Sequence, residues 1–418
     1  VKARVAGAQI ELKLPEVAVL GASGSTSASR LRVRSSLELN AVAIENPGHR
    51  PLVVISIDAL YVGSTLEAAA RQLSETYSCE VLFGASHTHR APMLDSRKPR
   101  LGSQSSEFVR EVRETLSRLI PHLLAKLGRA APSSLEARSV ITDLGINRRK
   151  WRALAVENRR VVRRRVVMAP NREGVKDDII TVLVARSASG LEGILWNYAC
   201  HPVGEADLCV SAHFPGAVRE AIRQQFGQPG LPVVFLQGFS GNVRPKLGLW
   251  PSKLDGRTVF RAVVGGFYPI SRRALNKWMA KLSCETMEAV DAATPISPGP
   301  IVIRRETLDL GIRRAASSEA VPVQVVGIEV GPDMAIVAIS AEVVAEYAAD
   351  VRSRRPYVMP VGCVGDSFGY LPTDKIALEG GYEGGDFCAS FNLEPLPCPV
   401  EPSVRAAIDR VLPRYIAT

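Results

Sequence analysis

Apolar residues along this chain gather into short, uninterrupted runs separated by longer segments of helical periodicity. The run 51–58, rich in Val and Ile, predicts a strand buried on both faces that ends in the carboxylate Asp58. Further strands are predicted at 80–85, 179–186, 192–199, 232–237, 322–330 and 334–340. Between them, apolar positions at helical spacing predict helices over 65–77, 106–127, 217–226 and 272–292. In 106–127 the stripe is Phe108, Val112, Leu116, Leu119, Leu123 and Leu124. Pro215 and Gly216 mark the start of the third helix, because proline has no N–H to leave unpaired there. One more helix is expected from Ser340-Ala341-Glu342 to about Val351, then a short strand at 357–363 leading into the loop Gly369–Thr373. Alternating strands and helices argue an α/β fold of mixed β-sheets flanked by helices. No repeat and no Pro/Gly linker divides the chain, so one domain over residues 1–418 is the simplest organisation.

Composition narrows this picture. An apolar content of 46% is enough for a sizeable core. No stretch approaches the ~18 consecutive apolar residues of a membrane helix, so no stable membrane anchor is expected. Val1-Lys2-Ala3-Arg4-Val5 is not followed by the apolar segment of a signal peptide, although a leader already removed stays open. The seven cysteines are scattered, odd in number and without a Cys-x-x-Cys pair, which favours a reducing, cytoplasmic setting.

The net charge of +10 is uneven, with Arg148, Arg149, Lys150, Arg152, Arg159, Arg160, Arg163, Arg164 and Arg165 crowding one segment. Trp151 is its single aromatic and no nucleic-acid motif accompanies it, so a nucleic-acid partner is not expected. The segment reads as a solvated loop, or as an electropositive approach for an anionic substrate. The Gly- and aromatic-bearing stretch 248–269 reads as a flap.

Three of the six histidines sit just beyond predicted strands: His87 and His89 in Ser86-His87-Thr88-His89, and His201 after Cys200. Strand ends are where α/β folds place reactive groups, and imidazole is a good zinc ligand. Hydrogen-bonded structural histidines are the other reading of these residues.

Taken together, several stations along the chain resemble the neutral/alkaline (non-lysosomal) ceramidase family, zinc-dependent hydrolases of an N-acyl amide. They are Ser86-His87-Thr88-His89 before Ala91-Pro92, Asn147-Arg148, Cys200-His201-Pro202, Gly241-Asn242-Val243-Arg244-Pro245, Ala341-Glu342, Gly369-Tyr370-Leu371-Pro372-Thr373 and Tyr382-Glu383-Gly384-Gly385. They occur in family order across nearly the whole chain. The resemblance implies Zn²⁺ held by His87, His201, Glu342 and Tyr370. It places His89 just outside the ligands as a proton shuttle, and Arg148 and Tyr382 on the substrate carbonyl or polar head. For Glu342 a helix-capping role is the competing expectation, and the two tyrosines could be ordinary loop aromatics.

Two departures from the family shape the functional expectation. The family loop reads Gly-Asp-x-Ser-Pro-Asn with an active-site serine, and here Arg244 stands at that serine's place. A guanidinium is no nucleophile, so attack by zinc-activated water is expected, and the cation suits a substrate carrying a carboxylate or another anion. The family motifs end about 35 residues before Thr418, leaving no room for the family's C-terminal immunoglobulin-like domain. The expected activity is hydrolysis of an amide, or a related ester or lactone, in a small anionic molecule. The alternatives are a ceramidase or N-acyl lipid amidase, and an inactive metal-binding relative.

Overall fold

The computed structural model describes residues 3–22, 27–157, 160–205, 207–251, 261 and 265–414. Its largest sheet contains nine strands. Eight of them are β1 (Ala3–Glu11), β2 (Glu38–Ile44), β3 (Leu52–Ile57), β4 (Glu80–Ala85), β5 (Pro132–Ile141), β8 (Ile179–Ser187), β9 (Gly190–Tyr198) and β10 (Val233–Gln237). They lie in the order β10-β9-β8-β5-β1-β2-β3-β4, and Thr294–Pro295 adds to β5. Only β9–β10 and β3–β4 pair in parallel in this order; the other neighbours are antiparallel. The intervening β6 (Gly145–Glu157) and β7 (Arg160–Asn171) form a hairpin that β11 (Val243–Pro245) joins on the β6 side.

A second sheet runs β12 (Ile301–Leu308), β13 (Val323–Val330), β14 (Met334–Ile339) and β16 (Tyr357–Val361). One core joins the two sheets. Val42, Val54, Leu82, Leu195 and Leu236 from the first meet Val326, Ile328, Ile336 and Met359 from the second. Alternate residues of the same strands face helices. Ala41, Ile55 and Phe83 pack on α2 (Ser106–Leu127), whose stripe is the one expected from the sequence. Trp196, Phe235 and Val182 pack on α3 (His213–Gln225) and α4 (Arg272–Asp291). Val325 and Val337 face a terminal helix, α7 (Glu401–Val411). The layers therefore stack helix, sheet, sheet, helix. With both faces covered, strands read as continuous apolar runs, which is why they were visible in the sequence.

The mixed α/β architecture and α1 (Ser64–Thr76) follow expectation. Three points differ. Of the expected loop 148–165, the described residues 148–157 and 160–165 lie in strands β6 and β7, and Arg148 and Arg149 are buried. The third helix starts at His213, two residues before Pro215. No helix begins at Glu342, which lies in a two-residue strand β15 (Glu342–Val343) paired with β17 (Tyr370–Leu371). Helical structure starts only at Ala345, with α5 (Ala348–Arg352) after it. Much of the expected flap, 252–260 and 262–264, lies outside the described residues; at its edges Tyr268 N–H donates to Gly248 O at 2.8 Å. Among the described residues no helix is long and apolar enough to cross a membrane.

Arg354, 1% exposed, fastens the last helix. Its Nη1 donates to the carbonyls of Ile408 (3.1 Å) and Leu412 (2.6 Å), and its Nη2 to Asp350 and Asp409, both at 2.7 Å. Carbonyls at a helix C-terminus are short of donors: Ile408 O already accepts Leu412 N–H at 2.9 Å, and this guanidinium adds a second donor there and one to Leu412 O. Arg354→Met is expected to cost about 2–4 kcal/mol, because buried carbonyls and a carboxylate lose a charged donor. Equilibrium urea unfolding of the variant beside wild type measures the loss.

Candidate active site

Four strand ends converge on one point. β4 stops at Ala85, and the backbone bends at His87, whose φ of 63° is left-handed. His87 and His89 consequently face each other edge to face, with ring centroids 5.2 Å apart. β9 delivers His201, whose ring lies 4.9 Å from that of His87. β14 is followed by Glu342, and the pairing of β15 with β17 sets Glu342 directly beside Tyr370. The Glu342 N–H donates to Gly369 O at 2.7 Å, one bond of that parallel pairing. Glu342 is therefore a buried strand residue, 3% exposed, and not a helix cap.

Hydrogen bonds at the far side of each imidazole fix which nitrogen is a lone pair. His87 Nδ1 lies 3.0 Å from Leu60 O, and His201 Nδ1 lies 2.8 Å from Ser240 O and 3.1 Å from Val243 O. A carbonyl oxygen only accepts, so both Nδ1 atoms carry hydrogen, and in the neutral rings both Nε2 atoms are lone pairs. Those Nε2 atoms lie 3.2 Å (His87) and 3.1 Å (His201) from the same carboxylate oxygen, Glu342 Oε2. The Tyr370 oxygen is 3.3 Å from His201 Nε2. Electron-rich atoms crowded this closely fit a cation between them, and the ligand types suit zinc. The nitrogens of His87, His89 and His201 that could reach one ion lie within 4.8 Å of one another. Among the described residues His89 Nε2 is buried with no hydrogen-bond partner. His89 is the least buried of the three.

Electrostatics sharpens these roles. Burial opposes charge on His87, yet Cys363 and Glu342 lift its pKa well above the usual imidazole value, a demand for positive charge that a cation bound at Nε2 would meet in place of the proton. Burial and Arg148 bring His201 down to about 4. Burial, then His87 and His201, hold His89 well below its usual value, so it is neutral near pH 7. Burial pushes the Glu342 carboxyl up, but His87 and His201 outweigh it and hold the group well below the carboxylate range.

The hairpin supplies the cations. A register shift between Asn147 and Arg149 interrupts the β6–β7 ladder, so two consecutive arginines reach one carboxylate. Arg148 Nε donates to Glu383 Oε1 at 2.6 Å, and Arg149 Nη1 to Glu383 Oε2 at 3.1 Å. Arg148 Nη2 also donates to the Tyr370 oxygen at 3.0 Å. Tyr382 opens the tight turn Tyr382–Asp386, with its ring 5.3 Å from that of Tyr370. Burial and Glu342 push the Tyr382 hydroxyl up to about 12, so it remains a donor.

Arg244, on β11 next to β6, is half-buried with its guanidinium 4.0 Å from the centre of the Phe267 ring. Among the described residues it forms no ion pair, and its Nε has no partner. Burial and the neighbouring Arg148 bring its pKa down to about 10, so the two cations feel each other. The loop carrying it needs Gly241, where a Cβ would stand 2.8 Å from Glu342 O.

The structure thus brings together His87, His89, His201, Glu342, Tyr370, Arg148 and Tyr382, with Arg244 beside Arg148. Asp58 is elsewhere, paired with Arg219 at 3.0 Å. Besides Glu383, which holds the two arginines, two residues at the site escaped the sequence reading. Tyr61 is hydrogen-bonded to Glu342 Oε1, and the Cys363 thiol faces His87. Both lie just past strands that pair in parallel with a strand carrying a site residue, β3 beside β4 and β16 beside β14. Position relative to those strand ends was the signal available.

No family model and no curated protein matches this chain. Solved structures do. The neutral ceramidase from Pseudomonas aeruginosa superposes with a TM-score of 0.69 at 14% identity, covering 98% of this chain and 73% of that one. A structure described as ceramidase complexed with C2 gives 0.70, also at 14% identity, covering 99% and 74%. Over nearly its whole described length, this chain has the fold of the neutral ceramidases.

Proposed function

We propose that this protein is a zinc-dependent hydrolase, a single domain over residues 1–418, that cleaves an amide or related acyl bond of a small anionic substrate. The observation that carries the reading is the convergence of His87 Nε2 and His201 Nε2 on Glu342 Oε2, with the Tyr370 oxygen 3.3 Å from His201 Nε2, beside two buried arginines. His87, His201 and Glu342 would hold the ion, with Tyr370 as a weaker fourth ligand. Zinc bound there supplies a Lewis acid and lowers the pKa of water from ~15.7 towards ~7.

The chain's own groups do the rest. Arg148 and Tyr382 donate to the substrate carbonyl and stabilise negative charge as it develops on that oxygen. Glu383 keeps Arg148 aimed, so little reorganisation is needed during the reaction. His89 enters neutral, takes a proton from the attacking water at Nε2 and returns it to the leaving group. Arg244, with no carboxylate of its own among the described residues, receives the substrate's anionic group. All seven cysteines are free thiols, which supports a reducing, cytoplasmic setting.

A second reading has the structural neighbours in its favour: hydrolysis of ceramide or another N-acyl lipid. A screen of N-acyl amino acids beside a fluorescent ceramide separates the two, and turnover of the ceramide alone would replace the anionic reading.

His87→Ala and His201→Ala are expected to lose stoichiometric zinc and all activity while retaining the fold. Metal analysis and circular dichroism check this, and full zinc in the double variant would place the metal elsewhere. His89→Ala is expected to keep its zinc and lose about 100-fold or more in kcat. Zinc loss equal to that of His87→Ala would instead make His89 a ligand. Arg244→Ser is expected to raise KM for a carboxylate-bearing amide about 10- to 100-fold, corresponding to a charged hydrogen bond. Arg244→Lys should recover only part, because an ammonium lacks the planar fork. Steady-state kinetics with N-acyl amino acids and their neutral amides gives both values.

A further inference from the structure

Beyond β3 the chain passes through Leu60 and Tyr61, each 2% exposed, before α1 begins. This dipeptide touches two members of the candidate metal centre. Leu60 O accepts the His87 Nδ1–H at 3.0 Å, and the Tyr61 hydroxyl is bonded to Glu342 Oε1. The Tyr61 ring also meets the His87 ring edge to face at 5.2 Å. Glu342 thus has its Oε1 engaged by Tyr61 and its Oε2 turned to the two histidines.

Behind Tyr61 lies an unusual arrangement for a protein core. Lys98 is fully buried, with its ammonium 4.4 Å from the centre of the Tyr61 ring. The charge is balanced by Asp95, 1% exposed, which pairs with Lys98 Nζ and accepts Arg97 N–H at 2.8 Å. Gly63, at φ 78°, lets the chain pass close to this pair, since a Cβ there would stand 3.1 Å from Asp95 Cβ. A buried ion pair costs desolvation that an apolar pair avoids, so packing alone does not call for it. What it adds is a fixed cation on the face of a phenol, which holds the ring and polarises the O–H towards its acceptor. A carboxylate oxygen only accepts, so the Tyr61 hydroxyl is the donor to Glu342 Oε1.

We infer that Leu60 and Tyr61 form an outer clamp on the metal centre, in which Tyr61, held by the Lys98–Asp95 pair, is a positioning residue that aims Glu342 Oε2 at His87 and His201. The inference rests on the zinc-site reading above but concerns residues that reading does not use. Groups that orient a ligand in this way typically contribute about 10- to 100-fold to metal affinity.

The test is zinc affinity, measured by competition with a chromogenic chelator, for wild type, Tyr61→Phe and the double variant Lys98→Met with Asp95→Asn. Tyr61→Phe keeps the ring and its packing, so a purely structural role predicts unchanged affinity. The clamp predicts a folded variant, with the wild-type circular dichroism spectrum, that loses about 10- to 100-fold in zinc affinity. In the double variant the charges leave together and the hydroxyl remains, so a smaller loss in the same direction is expected. Wild-type affinity in Tyr61→Phe overturns the clamp whatever the double variant does, including failure to fold. Wild-type protein that takes up no zinc overturns the metal reading itself, and the two failures are thereby told apart.

Discussion

The site depends on the burial of one carboxylate. Glu342 is 3% exposed, and a charge taken out of water at that depth must be matched by partners held in place. Here the partners come from separate strand ends: His87 after β4, His201 after β9, Tyr370 on β17 and Tyr61 after β3. None of them is adjacent to Glu342 in sequence. The two-sheet sandwich exists, in effect, as the frame that makes these strand ends meet, because close-packed apolar faces fix strand positions far more tightly than loops could.

A second layer of charge is arranged with the same economy. Glu383 answers Arg148 and Arg149 together, and Arg149 has Glu379 in addition at 3.2 Å. The bulge in β6 permits this, since a regular strand would send consecutive side chains to opposite faces. Arg244 stands apart from that pattern. It rests on Phe267 with no ion-pair partner among the described residues and feels the repulsion of Arg148. A guanidinium stacked on a ring keeps its edge donors directed outward, which is the geometry that captures a planar oxyanion. The proposed anionic substrate rests on this local excess of positive charge.

Strands with apolar residues on both faces were legible in the sequence, and so were the histidines just beyond them. Less apolar strands were not. β1 is built largely of small residues, among them Gly7, whose Cβ would stand 2.1 Å from Pro232 Cγ. β12 carries Arg304, Arg305 and Glu306 because it is an edge strand with exposed positions. Strands β6 and β7 were hidden by their arginines, since a run of cations resembles a solvated surface until a buried carboxylate is found opposite. The expected helix at Glu342 failed for a non-local reason: a backbone bond to Gly369 holds the residue in a strand.

The sequence by itself determined the alternation of buried strands and helices, the strand-end placement of His87, His89 and His201, and the cation at Arg244. Those features are local, because burial on both faces and residue chemistry are written in consecutive positions. Only the tertiary structure decided that Glu342 and Tyr370 stand side by side, that Arg148 and Arg149 share Glu383, and that Tyr61 and Lys98 support the centre from behind. Each of these joins residues that are distant along the chain, and their meeting follows from how two sheets and their helices close over a common core.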